Sequence, residues 1–323
     1  MGNGRKNKKL IGYGLVSPLH LANFMSYYYS NSDSYDKLTI YLNDYWGRGI
    51  LNNRYLDFLK SKNIEVKEKL NIEELVCDFD IVFVGGVDWR VLYKIKNNIV
   101  NLVVIDEGLS SYVSFFGKKK SNKNLKFYKY IISTLIINLL TLSIKGDKIN
   151  FKMFDMVSMN INSDYRLGLF KYFHELSVLD REVVGLENTN TNTIIFCAQP
   201  WVEMGEMSED KYINYIKDIK KNIESKGFNF VLKKHPAENI VDYTKYGINL
   251  ISDSRMIEEI VFSTKIKAII SKYSTSSFLV PALFNTTSYL LDKNELKFLG
   301  WSANKLFNKY CIDLKDLNVS KDN

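Results

Sequence analysis

A chain of 323 residues is too long for one small core and suits two domains of about 150 residues each. Its 46% hydrophobic and 25% charged content excludes a disordered polymer. A formal charge of +8 suits an anionic partner (nucleotide, lipid head group or nucleic acid) and equally suits a solvated lysine-rich face. Cys77, Cys197 and Cys311 lie far apart, without metal-ligand spacing or a disulfide framework, so no metal and a reducing cytosol are expected. Met1–Lys9 is polar and basic, and the apolar stretch that follows it is too short for a secretory core. The longest apolar run, Tyr130–Ile144, falls short of the roughly 20 residues that a spanning helix needs.

Taken in order, Lys9–Val16 reads as a buried first strand. Ser17-Pro18-Leu19-His20 follows it and opens a helical pattern over Leu21–Tyr29, serine as N-cap and proline at the first helical position. Lys37–Leu42 is a second strand, Leu51–Ser61 a helix and Asn63–Val66 a third strand. Asp80–Gly86 and Asn101–Glu107 are two more strands, with Trp89–Ile95 helical between them. Strands alternating with helices at this spacing predict βαβ units and a parallel sheet.

The last of these strands ends on Asp106-Glu107-Gly108. Two carboxylates at a strand's carboxyl end, with a glycine to turn the chain, are placed for proton abstraction, or for complementing the dipole of the next helix. Gly117–Lys126 is a basic loop running into the apolar helix Phe127–Ile144, a pairing that suits an anionic membrane surface or a core helix behind a solvated loop. Lys145–Glu187 is mixed and is expected to carry the crossover between domains, with His174 structural in a helix over Leu167–Leu179.

The second half opens on the strand Thr193–Ala198, which ends at Gln199-Pro200-Trp201. A loop with Glu203 and Glu206 and the helix Glu209–Ser225 follow. Phe228–Lys233 alternates apolar and polar residues and runs into Lys233-Lys234-His235-Pro236, carrying two cations and an imidazole to a strand's carboxyl edge. Ligands of open α/β sheets bind at that edge. Ile248–Ile251 reads as a strand, Arg255–Ser263 as a helix and Ala268–Ser271 as a buried strand. Ser274-Thr275-Ser276-Ser277 then sits where the next helix begins, and hydroxyls with free backbone N–H groups at a helix start form an anion site. Cations and His235 on one strand end, with hydroxyls and amides on another, predict a phosphate-bearing ligand. Thr286–Leu291 is a last strand, and the remainder from Asn294 is expected to be helical and to return towards the first domain.

Asp106-Glu107-Gly108, His235-Pro236 and Ser276-Ser277 resemble the acidic-acidic-glycine, HP and serine motifs of bacterial sialyltransferases. Ser17-Pro18-Leu19-His20-Leu21 and Gln199-Pro200 look most like the lipooligosaccharide and capsule sialyltransferases, and the resemblance runs from about Leu10 to Leu291. It implies an α/β, GT-B fold of two Rossmann-like domains facing a cleft. An acceptor-side domain would span 1–155, a crossover 156–190, a nucleotide-sugar domain 191–295 and a helical segment 296–323. It implies inverting, metal-independent transfer of sialic acid from CMP-sialic acid to a galactose-containing bacterial surface glycan, with no further cofactor.

Under that resemblance Asp106 or Glu107 takes the acceptor proton, and His235 donates to the departing phosphate oxygen, aided by Lys233 or Lys234. Gly108, Gln199, Pro200, Pro236, Ser274, Thr275, Ser276 and Ser277 fall on the donor side, Ser17 and His20 on the acceptor side. Glu203, Glu206 and Asp210 are rivals for the base. Another CMP- or CDP-activated transferase, for Kdo or glycerophosphate, is the competing enzyme reading. A non-catalytic glycan- or nucleotide-binding protein is the competing class. Scattered cations and the lack of an RNA motif argue against a nucleic-acid partner. The expected setting is the cytoplasm, peripheral on the inner face of the plasma membrane through Lys118–Ile144.

Overall fold

Short apolar runs, each stopped by glycine, proline or a polar cap, build two parallel sheets. Phe79–Val84 shows the type: it is buried along its whole length, as a strand covered on both faces must be. The computed structural model describes residues 8–42, 51–68, 71, 75, 77–115, 118, 127–179, 192–251 and 255–318. The chain divides into two units, Met1–Arg181 and Glu182–Asn323.

In the first unit the order is β1 (Lys9–Leu15), α1 (Pro18–Ser30), β2 (Lys37–Leu42), α2 (Asn53–Ser61), β3 (Glu65–Lys67), β4 (Phe79–Val84) and α3 (Trp89–Ile95). Then come β5 (Ile99–Ile105), α4 (Phe127–Thr141), β6 (Lys148–Phe151) and α5 (Ser163–Leu179). The six strands lie in the order β3-β2-β1-β4-β5-β6, all parallel. The order reverses between β1 and β4, so the crevice at their carboxyl ends is the place where such a sheet takes a ligand. Gly14 interrupts the register of β1 against β2 and has a φ of +76°, a bulge at the strand's carboxyl end. Ser17 then caps α1, its Oγ accepting from the His20 backbone N–H at 3.2 Å, with Pro18 in the first turn.

The expected crossover at 156–190 is revised by α5, which belongs to the first unit and packs on α1. Tyr165, Leu169, Tyr172, Phe173 and Leu176 turn one buried face inward. A Cβ on Gly168 would stand 2.1 Å from the Ser26 carbonyl oxygen, so the lack of a side chain there lets the helices touch. Ser26 Oγ donates to the Tyr165 carbonyl at 2.7 Å across the same contact. Residues 180–191 lie outside the described residues, as do 119–126 of the basic loop.

The second unit runs β7 (Thr193–Cys197), α6 (Glu209–Glu224), β8 (Asn229–Lys233), α7 (Ile257–Ser263), β9 (Ala268–Ser271), α8 (Thr275–Phe284), β10 (Thr287–Leu290), α9 (Trp301–Tyr310) and β11 (Ile312–Asp313). Its five parallel strands are ordered β11-β10-β9-β7-β8, reversing between β7 and β9. The core lies between the sheet and α6, where Ile194, Phe196, Phe230 and Leu232 meet Tyr212, Ile216 and Tyr243.

Two expectations are corrected here. Ile248–Ile251 is no strand: Leu250 forms a single parallel bridge to Leu232, because only Asn249 and Ile251 reach the backbone of β8. The segment from Asn294 is not helical throughout. Phe307 packs edge-on against Phe278 at 5.5 Å, and β11 pairs with β10 to complete the second sheet.

Candidate active site

In the first unit, β5 delivers Asp106 and Glu107 to the carboxyl edge, and the two acids have different surroundings. Asp106 is 9% exposed; its Oδ2 accepts from the Tyr112 hydroxyl at 2.5 Å and from the Met153 N–H at 3.1 Å. Its backbone carbonyl accepts from Asn23 Nδ2 at 2.8 Å, and Asn23 Oδ1 accepts from the Tyr165 hydroxyl at 2.8 Å. Phe154 N–H completes the knot by donating to Tyr112 Oη at 3.2 Å. Asp106 therefore ties β5, α1, α5 and the chain after β6 together.

Glu107 leaves the strand on the opposite side. Its backbone N–H donates to Ser111 Oγ at 3.0 Å, and its carboxylate lies against Gly85 at the end of β4. A Cβ on Gly85 would come within 2.2 Å of Glu107 Oε2, and Gly85 has a φ of +86°, so only glycine fits both demands. Burial pushes the Glu107 carboxyl above its ordinary value and nearby Asp106 adds to this, while the Lys118 ammonium opposes it. A partly desolvated carboxylate with a raised pKa, at a strand end, is the profile of a general base. Gly108, with a φ of +122°, turns the chain immediately afterwards into a short helical turn at Leu109–Ser111.

Ser17 and His20, expected on the acceptor side, build the turn after β1. His20 Nδ1 accepts from the Val16 N–H at 3.3 Å and the ring also bonds the Gly14 backbone; burial lowers its pKa to about 4.

In the second unit, His235 stands at the end of β8. Its Nδ1 accepts from the Ala237 N–H at 3.1 Å, and burial, with help from Lys233, brings its pKa down to about 4. The imidazole is thus neutral with its proton on Nε2, the tautomer that donates outward. The turn is held by Glu238, a buried acid absent from the sequence-based assignment. Glu238 Oε2 accepts from the His235 N–H at 2.6 Å and Oε1 from the Tyr243 hydroxyl at 2.5 Å. Tyr212 reaches the same carboxylate at 3.4 Å while accepting from the Gln199 N–H at 3.0 Å, so one acid braces the ends of both β7 and β8. Burial raises the Glu238 carboxyl to about 7. The spacing His-Pro-Ala-Glu was the available signal.

Lys233 is the last residue of β8 and Lys234 opens the loop after it. Lys234 turns back over its own loop, 3.4 Å from the Val241 carbonyl and over the Tyr243 ring, with Pro236 exposed at the tip. Lys233 instead acts electrostatically on His235, Cys197 and Glu258. Lys272, at the end of β9, lies 4.8 Å over the Trp201 ring that follows Gln199-Pro200, a further cation at this edge. Of the rival bases, Glu203 accepts from the Asn239 and Ile240 N–H groups at 2.7 and 2.9 Å and so anchors the loop after His235. Glu206 and Asp210 are exposed.

The serine run caps α8. Ser277 is fully buried, and its hydroxyl bonds Ser271 Oγ and accepts from the Ser274 N–H at 3.1 Å. Ser276 Oγ donates to the buried Glu258 at 2.7 Å. These hydroxyls fix the helix start, whose N-cap is Ser274 with Thr275 in the first turn. Among the described residues no three His, Cys, Asp or Glu side chains converge as a metal site.

The family model for alpha-2,8-polysialyltransferases matches residues 71–293, well over half of the chain and including Glu107, His235 and Ser276. Among solved structures, the chain is similar to a sialyltransferase from Photobacterium damsela, with a TM-score of 0.51 and 13% identity, over 95% of this chain and 81% of that one. It is also similar to Medicago truncatula UGT71G1 complexed with UDP-glucose, with a TM-score of 0.50 and 13% identity, over 99% and 88% of the two chains. No curated protein matches. The two parallel α/β units have the GT-B fold of these glycosyltransferases. The chain is a glycosyltransferase and belongs to the alpha-2,8-polysialyltransferase family.

Proposed function

We propose that the protein transfers sialic acid from CMP-sialic acid, with inversion and without a metal, to the hydroxyl of a sialic acid that ends an acceptor glycan. The α2,8 linkage in the family's name favours a sialic acid acceptor over the galactose expected from sequence. Glu107 takes the proton of the acceptor hydroxyl as its oxygen bonds to the anomeric carbon. The bond from that carbon to the phosphate oxygen breaks in the same step, and its electron pair leaves with CMP. The Nε2–H of His235 donates to the phosphate, with Lys233 and Lys272 supplying positive charge and the start of α8 supplying amides. A nucleotide phosphate is already a good leaving group, so stabilising its charge is the chief demand on the second unit.

The observation that carries this reading is the division of labour between Asp106 and Glu107: the first is enclosed in hydrogen bonds, while the second presents a raised-pKa carboxylate at the sheet edge. A thermal-shift titration with CMP, CDP, UDP and ADP, with and without EDTA, tests the donor. Stabilisation by CMP and CDP that EDTA leaves unchanged is expected. Preference for UDP or ADP overturns the donor assignment.

A further inference from the structure

Strand β7 lies between β9 and β8, so the loop at its carboxyl end, 199–207, starts between the strand ends that carry Lys272 and His235. That loop is wound on a buried tryptophan. Trp201 is 7% exposed and packs edge-on against Tyr212 at 5.4 Å. Its carbonyl accepts from the Glu206 N–H at 2.9 Å and the Met207 N–H at 3.3 Å, while the Met204 N–H donates to the Pro200 carbonyl at 2.9 Å. Lys272 stands over the Trp201 ring, so the loop already has one cation of the sheet edge resting on it.

The turn after β8 is tied to the same loop through Glu203. Four consecutive backbone N–H groups follow Pro236, and each has an acceptor. Ala237 donates to His235 Nδ1 at 3.1 Å and Glu238 to the His235 carbonyl at 3.0 Å, both within the turn. Asn239 and Ile240 donate to Glu203 Oε1 at 2.7 and 2.9 Å, so the other two are held from the neighbouring strand's loop. Burial opposes ionisation of Glu203, but these N–H groups and Lys234 keep its carboxyl below its ordinary value, which makes it a weaker base. Asn239 and Ile240 are exposed, so water can take the place of Glu203 at their N–H groups and the two bonds add little to stability. Their effect is on direction. The Ala237 N–H fixes one side of the imidazole, so the ring follows the backbone that Glu203 holds.

We propose that Glu203 is a positioning residue for His235: it ties the 237–240 backbone to the loop beneath Lys272, so that the Nε2–H of His235 and the Lys272 ammonium meet the leaving phosphate at a fixed spacing. This role rests on the reading of His235 as the donor to that phosphate.

Steady-state kinetics with CMP-sialic acid and an oligosialic acid acceptor test it on Glu203→Gln and Glu203→Asp, each made in the wild-type chain and in His235→Ala. Glutamine keeps an oxygen for both N–H groups and loses the charge; aspartate keeps the charge on a side chain one carbon too short to reach. Glu203→Gln should hold kcat within about twofold of wild type. Glu203→Asp should lower kcat about tenfold, with KM for the donor within about twofold and the melting temperature unchanged. Beside His235→Ala, Glu203→Asp should cost no more than about a further twofold, because the two residues act as one unit. A Glu203→Gln variant as slow as Glu203→Asp, a wild-type kcat in Glu203→Asp, or a tenfold loss that persists beside His235→Ala each overturns the proposal. A wild-type kcat in His235→Ala alone overturns the underlying reading of His235, and the role of Glu203 with it.

Discussion

The carboxylate of Glu107 occupies the space that Gly85 leaves by having no side chain: a Cβ there would lie 2.2 Å from Oε2 and 2.6 Å from Cδ. The end of β4 thereby sets the position of an acid that belongs to β5. Gly85→Ala is expected to displace that carboxylate, lowering kcat about tenfold or more, since small misplacements of a reacting group are costly. Its φ of +86° adds a stability loss of about 1–2 kcal/mol. Steady-state kinetics with parallel melts measure both. An unchanged kcat would separate Gly85 from the site.

Asp106→Asn should act mainly on stability. An amide oxygen in the place of Oδ2 still accepts from both Tyr112 and Met153 but without the charge that strengthens the two bonds, at a cost of about 1–3 kcal/mol. Urea denaturation is the measurement, and the folded fraction should keep most of its activity. A stable but inactive Asp106→Asn variant would move the role of base from Glu107 to Asp106.

His235→Ala is expected to lower kcat about 100- to 1,000-fold with the fold intact, by removing one preorganised donor to the leaving phosphate. The folded-state pKa of His235, about 4, lies below the ordinary 6.5, so the folded state favours the neutral ring. Its stability contribution is therefore complete above pH 6.5 and is lost as pH falls through about 4. His20 is shifted the same way and adds to the effect. Melting temperatures should fall between pH 6.5 and 4, less steeply in His235→Ala; identical slopes would refute the assignment of His235 as a buried neutral ring.

Glu238 works in the other direction. Its carboxyl is raised to about 7, so its contribution is complete below about 4.5 and is lost as pH rises through about 7. Glu238→Gln should remove that alkaline loss while keeping the turn. Glu238→Ala should cost about 1–3 kcal/mol by leaving the His235 N–H and Tyr243 hydroxyl unpaired, and should raise KM for the donor. Melts across pH 5–8 and donor kinetics on both variants check this. Equal behaviour of Gln and Ala would remove the positioning role.

The strand-end logic was legible in the sequence because βα units in a parallel sheet place consecutive strand termini at one edge. Asp106-Glu107, Gln199-Pro200, Lys233–His235 and Ser274–Ser277 all lie at such ends. Which of two adjacent acids carries chemistry was not legible, because it depends on Tyr112, Asn23 and Met153 arriving from three other segments. Glu238 and Glu258 escaped for the same reason: a buried acid in a loop or on a helix resembles a solvated one until its partners are known. The helix read over Leu167–Leu179 was legible, but not that it starts at Ser163 and packs on α1, a contact that depends on one glycine, Gly168.

The most direct test of the account is transfer from CMP-sialic acid to an oligosialic acid acceptor in EDTA, comparing the wild-type chain with Glu107→Gln. The wild-type chain should lengthen the acceptor. Glu107→Gln should lose about 100-fold or more of the rate while CMP still raises its melting temperature. A Glu107→Gln variant that transfers at the wild-type rate would contradict the assignment of Glu107 as the base.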